Sequence, residues 1–117
     1  MTHTTNEKLS ERRCEACYPG TPALKGDKLK EFLNRIHSDW QISDEHHIER
    51  EFRFKNFRKA LDFTAQIGEM SEEQGHHPEI WLTWGKVRLK VYTHAIDGLS
   101  ESDFIWAAKA DEVVEKV

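Results

Sequence analysis

Histidine is abundant in this chain, at seven of 117 residues. Imidazole has an ordinary pKa of about 6.5, close to working pH, so clustered histidines are suited to moving protons. His76 and His77 stand just before the first strand of a predicted hairpin, and His94 directly follows the second. In an antiparallel hairpin those two ends lie together, so the three rings are expected to converge. Bare spacing leaves three readings open. The imidazoles hold a catalytic zinc, or they act as general acid and general base, or they fill a polar loop cluster with no chemistry. The remaining histidines read more simply. His3 lies in a polar arm, His37 ends a helix where positive charge suits the macrodipole, and His46 and His47 sit on the surface at a hairpin turn.

The two cysteines, Cys14 and Cys17, form a single Cys-x-x-Cys followed by Tyr18-Pro19-Gly20. A tetrahedral zinc needs two further ligands, and a redox pair usually opens a helix after a strand. Neither context is present, so the pair reads as two reduced thiols in a flexible arm.

The elements that must position the histidines follow from periodicity. Leu29, Phe32, Leu33 and Ile36 predict a helix from Asp27 to about His37. Trp40 and Ile42 alternate with polar neighbours in a short strand, and Ser43-Asp44-Glu45 reads as a turn. A second strand over about 47–54 places Ile48, Phe52 and Phe54 on one face, with Arg50 a polar exception among them. Asn56 suits the N-cap of a helix whose stripe is Phe57, Ala60, Leu61, Thr64, Ile67 and Gly68. That helix runs to about Glu73 and is stopped by Gly75 and Pro78. Ile80–Trp84 is a short strand in which Trp84 reads as core ahead of site wall. Gly85 lies near the turn into a half-buried strand of Val87, Leu89 and Val91, with Lys86, Arg88 and Lys90 outward. Ser100 opens the last helix, and Asp103 completes a near capping box that accounts for it without chemistry. On that helix Phe104, Ala107, Ala108, Asp111 and Val114 share a face, with Asp111 the polar exception.

The order helix-strand-strand-helix-strand-strand-helix predicts an α+β domain, a four-stranded antiparallel sheet with helices packed on one face. Residues 1–25 are expected as a flexible N-terminal arm and 26–117 as a single domain. The sheet's free edges offer a second subunit a place to pair. The net charge of -4 is mixed along the chain, which argues against a general nucleic-acid binder. Met1 to Arg13 is polar, with no signal-peptide core, and no segment resembles a membrane span, so a cytoplasmic location is expected.

One longer pattern runs through the chemistry-bearing residues: Glu72, three residues, His76-His77-Pro78, five residues, Trp84, nine residues, His94, eight residues, Asp103. It resembles the active-site signature of the pterin-4a-carbinolamine dehydratases. Gly98-Leu99-Ser100 and the run Phe52-Arg53-Phe54-Lys55-Asn56-Phe57 are also similar to that family, and the resemblance extends over roughly Gly26 to Val117. It implies a four-stranded antiparallel sheet with helices on one face, assembled as a homodimer or homotetramer. The implied reaction is dehydration of 4a-hydroxytetrahydropterin to quinonoid dihydropterin in tetrahydrobiopterin recycling, beside an aromatic amino-acid hydroxylase. It requires no metal and no redox cofactor. By the resemblance His76, His77 and His94 form the catalytic set. His76 and His94 transfer protons, and His77 mainly positions the pterin. Glu72, Pro78, Trp84 and Asp103 join the substrate-binding residues, and Trp81 faces either the site or a neighbouring subunit. The rival readings are a non-enzymatic dimerisation and transcriptional co-regulator, a dehydratase-like protein acting on another pterin, and a metal-dependent hydrolase.

Overall fold

The computed structural model describes residues 8–117, so His3 lies outside the described residues. The elements follow the expected order: α1 (Gly26–Leu33), β1 (Gln41–Ser43), β2 (His47–Arg53), α2 (Phe57–Gln74), β3 (Glu79–Thr83), β4 (Lys86–Val91) and α3 (Glu101–Glu115). All strand pairs are antiparallel, in the spatial order β1-β2-β4-β3. The two hairpins join through β2 and β4, from Ile48 opposite Val91 to Arg53 opposite Lys86. This register brings the start of β2, the start of β3 and the end of β4 to one end of the sheet.

Side chains alternate across the strands, so Ile48, Phe52, Val87, Leu89 and Val91 are buried on one face. Ala60, Phe63 and Ile67 of α2 and Phe104, Ile105, Trp106, Ala107 and Ala110 of α3 complete the same core. Each large side chain hidden there contributes about 1.5–3 kcal/mol. Two polar side chains inside are partnered in series: Trp106 Nε1 donates to Ser71 Oγ at 3.0 Å, and that hydroxyl donates to the Ile67 carbonyl at 2.7 Å. On the outer face Glu49 stands opposite Lys90 and Glu51 opposite Arg88, cross-strand pairs that favour this register.

Three local expectations are corrected. The buried line of α2 is Ala60, Phe63, Ile67 and Ser71, while Phe57 is exposed. Ser71 belongs to the core face because its hydroxyl finds partners there. Helix α1 ends at Leu33, and Arg35 N–H to the Phe32 carbonyl and Ile36 N–H to the Leu33 carbonyl then tighten the chain. The apolar spacing persists to Ile36 through those shorter i→i−3 bonds. Trp84 is 68% exposed at the turn between β3 and β4, not in the core.

The two polar exceptions on apolar faces meet each other. Arg50 Nη1 lies 2.6 Å from Asp111 Oδ1, with both side chains largely buried. The same carboxylate accepts from Trp40 Nε1 at 2.8 Å and from the His37 backbone N–H at 3.1 Å. One ion pair thus fastens β2, α3 and the link between α1 and β1.

Within residues 8–25, read from sequence as an arm, the stretch from Leu9 to Glu15 runs against α3. Leu9 is buried, Lys109 Nζ donates to the Ser10 carbonyl at 2.8 Å, and Arg12 pairs with Glu101 at 3.0 Å.

Removing one partner of a buried pair strands the other charge and costs about 3–5 kcal/mol, whereas apolar replacement of both is often neutral. Asp111→Ala is therefore expected to lose that much in urea unfolding, and Arg50→Met with Asp111→Leu to recover most of it. A single variant more stable than the double variant would contradict the pairing.

Candidate active site

The sheet end where β3 begins and β4 ends holds a cavity of about 430 Å³ lined by His76, His77, Thr93 and His94. The expected convergence of the three histidines is thus what the register produces. A larger hollow of about 690 Å³ lies elsewhere, against Glu49, Glu51, Arg53 and Arg88. Those residues pair with one another, Arg53 with Glu51 at 2.6 Å and Arg88 with Glu49 at 3.9 Å, and no histidine lines it. The smaller cavity is the candidate site.

Local sequence explains how each histidine arrives. Gly75 closes α2 with φ of 63°, a left-handed conformation that glycine adopts without steric cost. The His76 N–H then bonds back to the Ser71 carbonyl at 3.2 Å, turning the chain out of the helix. His94 starts a short 3₁₀ turn, His94–Ile96, in a loop pinched shut by the Thr93–Gly98 bridge. Gly98 has no room for a side chain, because a Cβ there would stand 2.8 Å from the Cβ of Ala23.

Asp103 organises this end of the molecule. It has no exposed surface, and both of its oxygens accept hydrogen bonds. His76 Nε2–H donates to Oδ1 at 2.6 Å. The Thr93 hydroxyl and the Ser100 backbone N–H donate to Oδ2, each at 2.8 Å. Thr93 Oγ1 in turn lies 2.8 Å from Ser100 Oγ. The Ser100 bond is the helix-capping interaction that the sequence predicts, and the His76 bond is an additional role. Because a carboxylate fixes Nε2–H, the ring nitrogen of His76 not held by Asp103 is Nδ1.

The other predicted residues divide. Glu72 Oε2 accepts from His77 Nε2 at 2.6 Å, with both side chains exposed. Pro78 sits beside the histidines at the start of β3 but does not line the cavity. Trp84 lies at the far end of the β3–β4 hairpin and Trp81 is exposed on β3. Neither lines the cavity of this chain. Among the described residues no group of three His, Cys, Asp or Glu side chains is arranged to hold a metal ion.

A second polar cluster adjoins the site. The Tyr92 ring packs at a tilt against both His94 and His46, with centroids 4.3 and 4.4 Å away. His46 Nε2 bonds Asp97 at 2.8 Å, His47 Nε2 bonds Glu49 at 3.0 Å, and the Nδ1 atoms of His46 and His47 share a bond of 3.1 Å. The hairpin histidines therefore brace the loop that carries His94. The one sequence signal for this was the density of histidines at 46–47.

A four-stranded antiparallel sheet under helices, with an imidazole-lined pocket at its end, defines the class of the domain. Residues 22–113 match the family model described as pterin 4 alpha carbinolamine dehydratase. A relative from Alkaliphilus metalliredigens, named "Putative pterin-4-alpha-carbinolamine dehydratase", is 50% identical over 104 residues, covering 89% of this chain and 94% of the relative. A relative of the same name from Rubrobacter xylanophilus is 49% identical over 106 residues, covering 91% and 98%. A Brucella melitensis structure described as a transcriptional coactivator/pterin dehydratase superposes with a TM-score of 0.74 at 30% identity, covering 80% of this chain and 99% of that one. The chain belongs to the pterin-4-alpha-carbinolamine dehydratase family.

Thr93→Val keeps the shape of the side chain but deletes a buried donor to Asp103. It is expected to cost about 1–3 kcal/mol, read as a lower urea midpoint at unchanged slope. An unchanged midpoint would contradict the network around Asp103.

Proposed function

We propose that this chain dehydrates 4a-hydroxytetrahydropterin by imidazole acid–base chemistry. The observation that carries the reading is the cavity lined by His76, His77 and His94, with His76 backed by the buried Asp103 carboxylate. Family membership supplies the substrate class.

The reaction is an internal elimination. The C4a–O bond breaks as a general acid protonates the departing hydroxyl, which leaves as water. A general base takes the N5 proton, and the N5=C4a double bond forms. The product is a quinonoid dihydropterin, and no electrons enter or leave. His76 and His94 are the proton-transfer pair in this reading. With Nε2–H fixed on Asp103, His76 offers Nδ1 to the reaction. His77, bonded to Glu72, positions the pterin ring, and Pro78 holds the turn that presents both histidines. Asp103 acts through His76 rather than on the substrate. Trp84 receives no role in the cavity of its own chain.

The physiological setting we infer is recycling of tetrahydrobiopterin beside an aromatic amino-acid hydroxylase, in a cytoplasmic homodimer or homotetramer. Among the described residues no helix is long and apolar enough to cross a membrane. The description of the Brucella melitensis protein joins a coactivator role to the dehydratase one. A co-regulator would keep its partner when the histidines are replaced, whereas a dehydratase would lose its activity.

Freshly generated 4a-hydroxytetrahydropterin is followed by absorbance against its spontaneous dehydration. General acid–base groups contribute about 10²- to 10⁴-fold. His76→Ala and His94→Ala are each expected to lose at least about tenfold in kcat, and a chelator to leave the wild-type rate unchanged. No acceleration by the folded wild-type protein would overturn the enzyme reading.

A further inference from the structure

The cavity of the three histidines has a wall that the family match does not include. Cys14, Glu15, Ala16 and Cys17 line it together with His76, His77 and His94, yet the matched segment begins at residue 22. The 104 residues aligned with the Alkaliphilus metalliredigens relative are more than this chain supplies from Pro22 onward, so that likeness reaches into the arm.

The wall is clipped to the elements that hold His76. The Cys14 N–H donates to Gln74 Oε1 at 3.0 Å, and Gln74 is the last residue of α2. The Cys14 thiol donates to the Ser102 carbonyl at 3.4 Å. The Glu15 N–H donates to Ser102 Oγ at 2.8 Å, and that hydroxyl donates back to the Glu15 carbonyl at 2.9 Å. Ser102 is buried and directly precedes Asp103. Upstream, the Ser10 hydroxyl donates to Glu112 at 2.5 Å, adding to the Lys109, Arg12 and Leu9 contacts. The clip uses Cys14 and not the Cys17 side chain. Burial pushes the Cys14 thiol up to about 11, with the nearby Lys109 cation opposing, so it stays neutral and unreactive at ordinary pH.

We propose that residues 14–17 are a specificity wall of the pterin cavity, admitting pterins with a short C6 substituent and placing the Cys17 thiol beside the bound molecule. The proposal rests on the dehydratase reading of the cavity. At about 430 Å³ the cavity is toward the small end of ligand sites, which span roughly 300–1,000 Å³. A bicyclic ring with a few-carbon side chain suits that volume. A pterin extended by an aromatic amide and glutamate meets the arm where its C6 substituent is laid toward residues 14–17. Glu15, Ala16 and Cys17 restrict the space, while Gln74 and Ser102 hold them in place.

The test uses the full chain and two stable probes, 7,8-dihydrobiopterin and 7,8-dihydrofolate. Binding is measured by calorimetry, and alkylation of Cys17 by iodoacetamide is followed by peptide mass spectrometry. Saturating dihydrobiopterin is expected to slow Cys17 alkylation at least fivefold, and dihydrobiopterin to bind at least tenfold more tightly than dihydrofolate. Ala16→Trp is expected to weaken dihydrobiopterin binding at least tenfold with the circular dichroism spectrum unchanged. Gln74→Ala with Ser102→Ala, which unclips the arm, is expected to narrow the difference between the two probes. Dihydrobiopterin binding that leaves the Cys17 rate untouched would overturn the wall while leaving the pterin site intact. Absence of dihydrobiopterin binding to the wild-type chain would overturn the site reading and the wall together.

Discussion

The buried carboxylate of Asp103 is the constraint on which the site depends. A charged group with no exposed surface persists only where its oxygens are fully bonded. Its donors come from three separate pieces of chain: His76 after α2, Thr93 after β4 and Ser100 at the start of α3. Placing that one carboxylate therefore starts a helix, ends a strand and orients an imidazole. The position of His76 and the stability of this end of the domain are two consequences of the same bonds. A change that disturbs the start of α3 reaches the candidate chemistry directly.

The sheet supplies the rest of the geometry. Inserting β4 between β2 and β3 collects three chain ends at one place, so histidines far apart in sequence share a cavity. The loop carrying His94 is then held from both sides. Gly98 packs against Ala23, and the tilted ring contacts of Tyr92 with His46 and His94, together with the Asp97 bond, tie the loop to the first hairpin. Across the core, Arg50 and Asp111 perform a comparable task without exposure to the cavity, locking β2 to α3. Both charged clusters specify how elements dock, which apolar contacts alone leave adjustable.

Much of this was legible in sequence because it is local. Strand β4 shows its strict alternation, Asn56 and Gly75 mark the ends of α2, and Ser100 with Asp103 marks the start of α3. The hairpin argument alone places the three histidines together, and the fixed spacing from Glu72 to Asp103 points to the family. What was not legible depends on contacts distant in the chain. Arg50 and Asp111 each stood out as exceptions, but their pairing spans 61 residues. The burial of Ser71 depends on Trp106 of another helix, so the stripe read from sequence shares Ala60 and Ile67 with the buried line of α2 but misses Phe63 and Ser71. Trp84 looks like core by residue type, and only the turn at Gly85 puts it in solvent. The arm reads as polar and featureless, since its order comes from Ser102, Gln74 and Lys109.

The central claim is that Asp103 prepares His76 for proton transfer. The most direct measurement is the dehydration rate of Asp103→Asn, with folding checked by circular dichroism and pterin affinity measured beside it. The amide keeps the size of the side chain but replaces one acceptor oxygen with a donor group. The account predicts a folded protein that binds pterin within a few-fold of wild type and whose kcat falls at least about tenfold. A folded Asp103→Asn protein that dehydrates the substrate at the wild-type rate would contradict it.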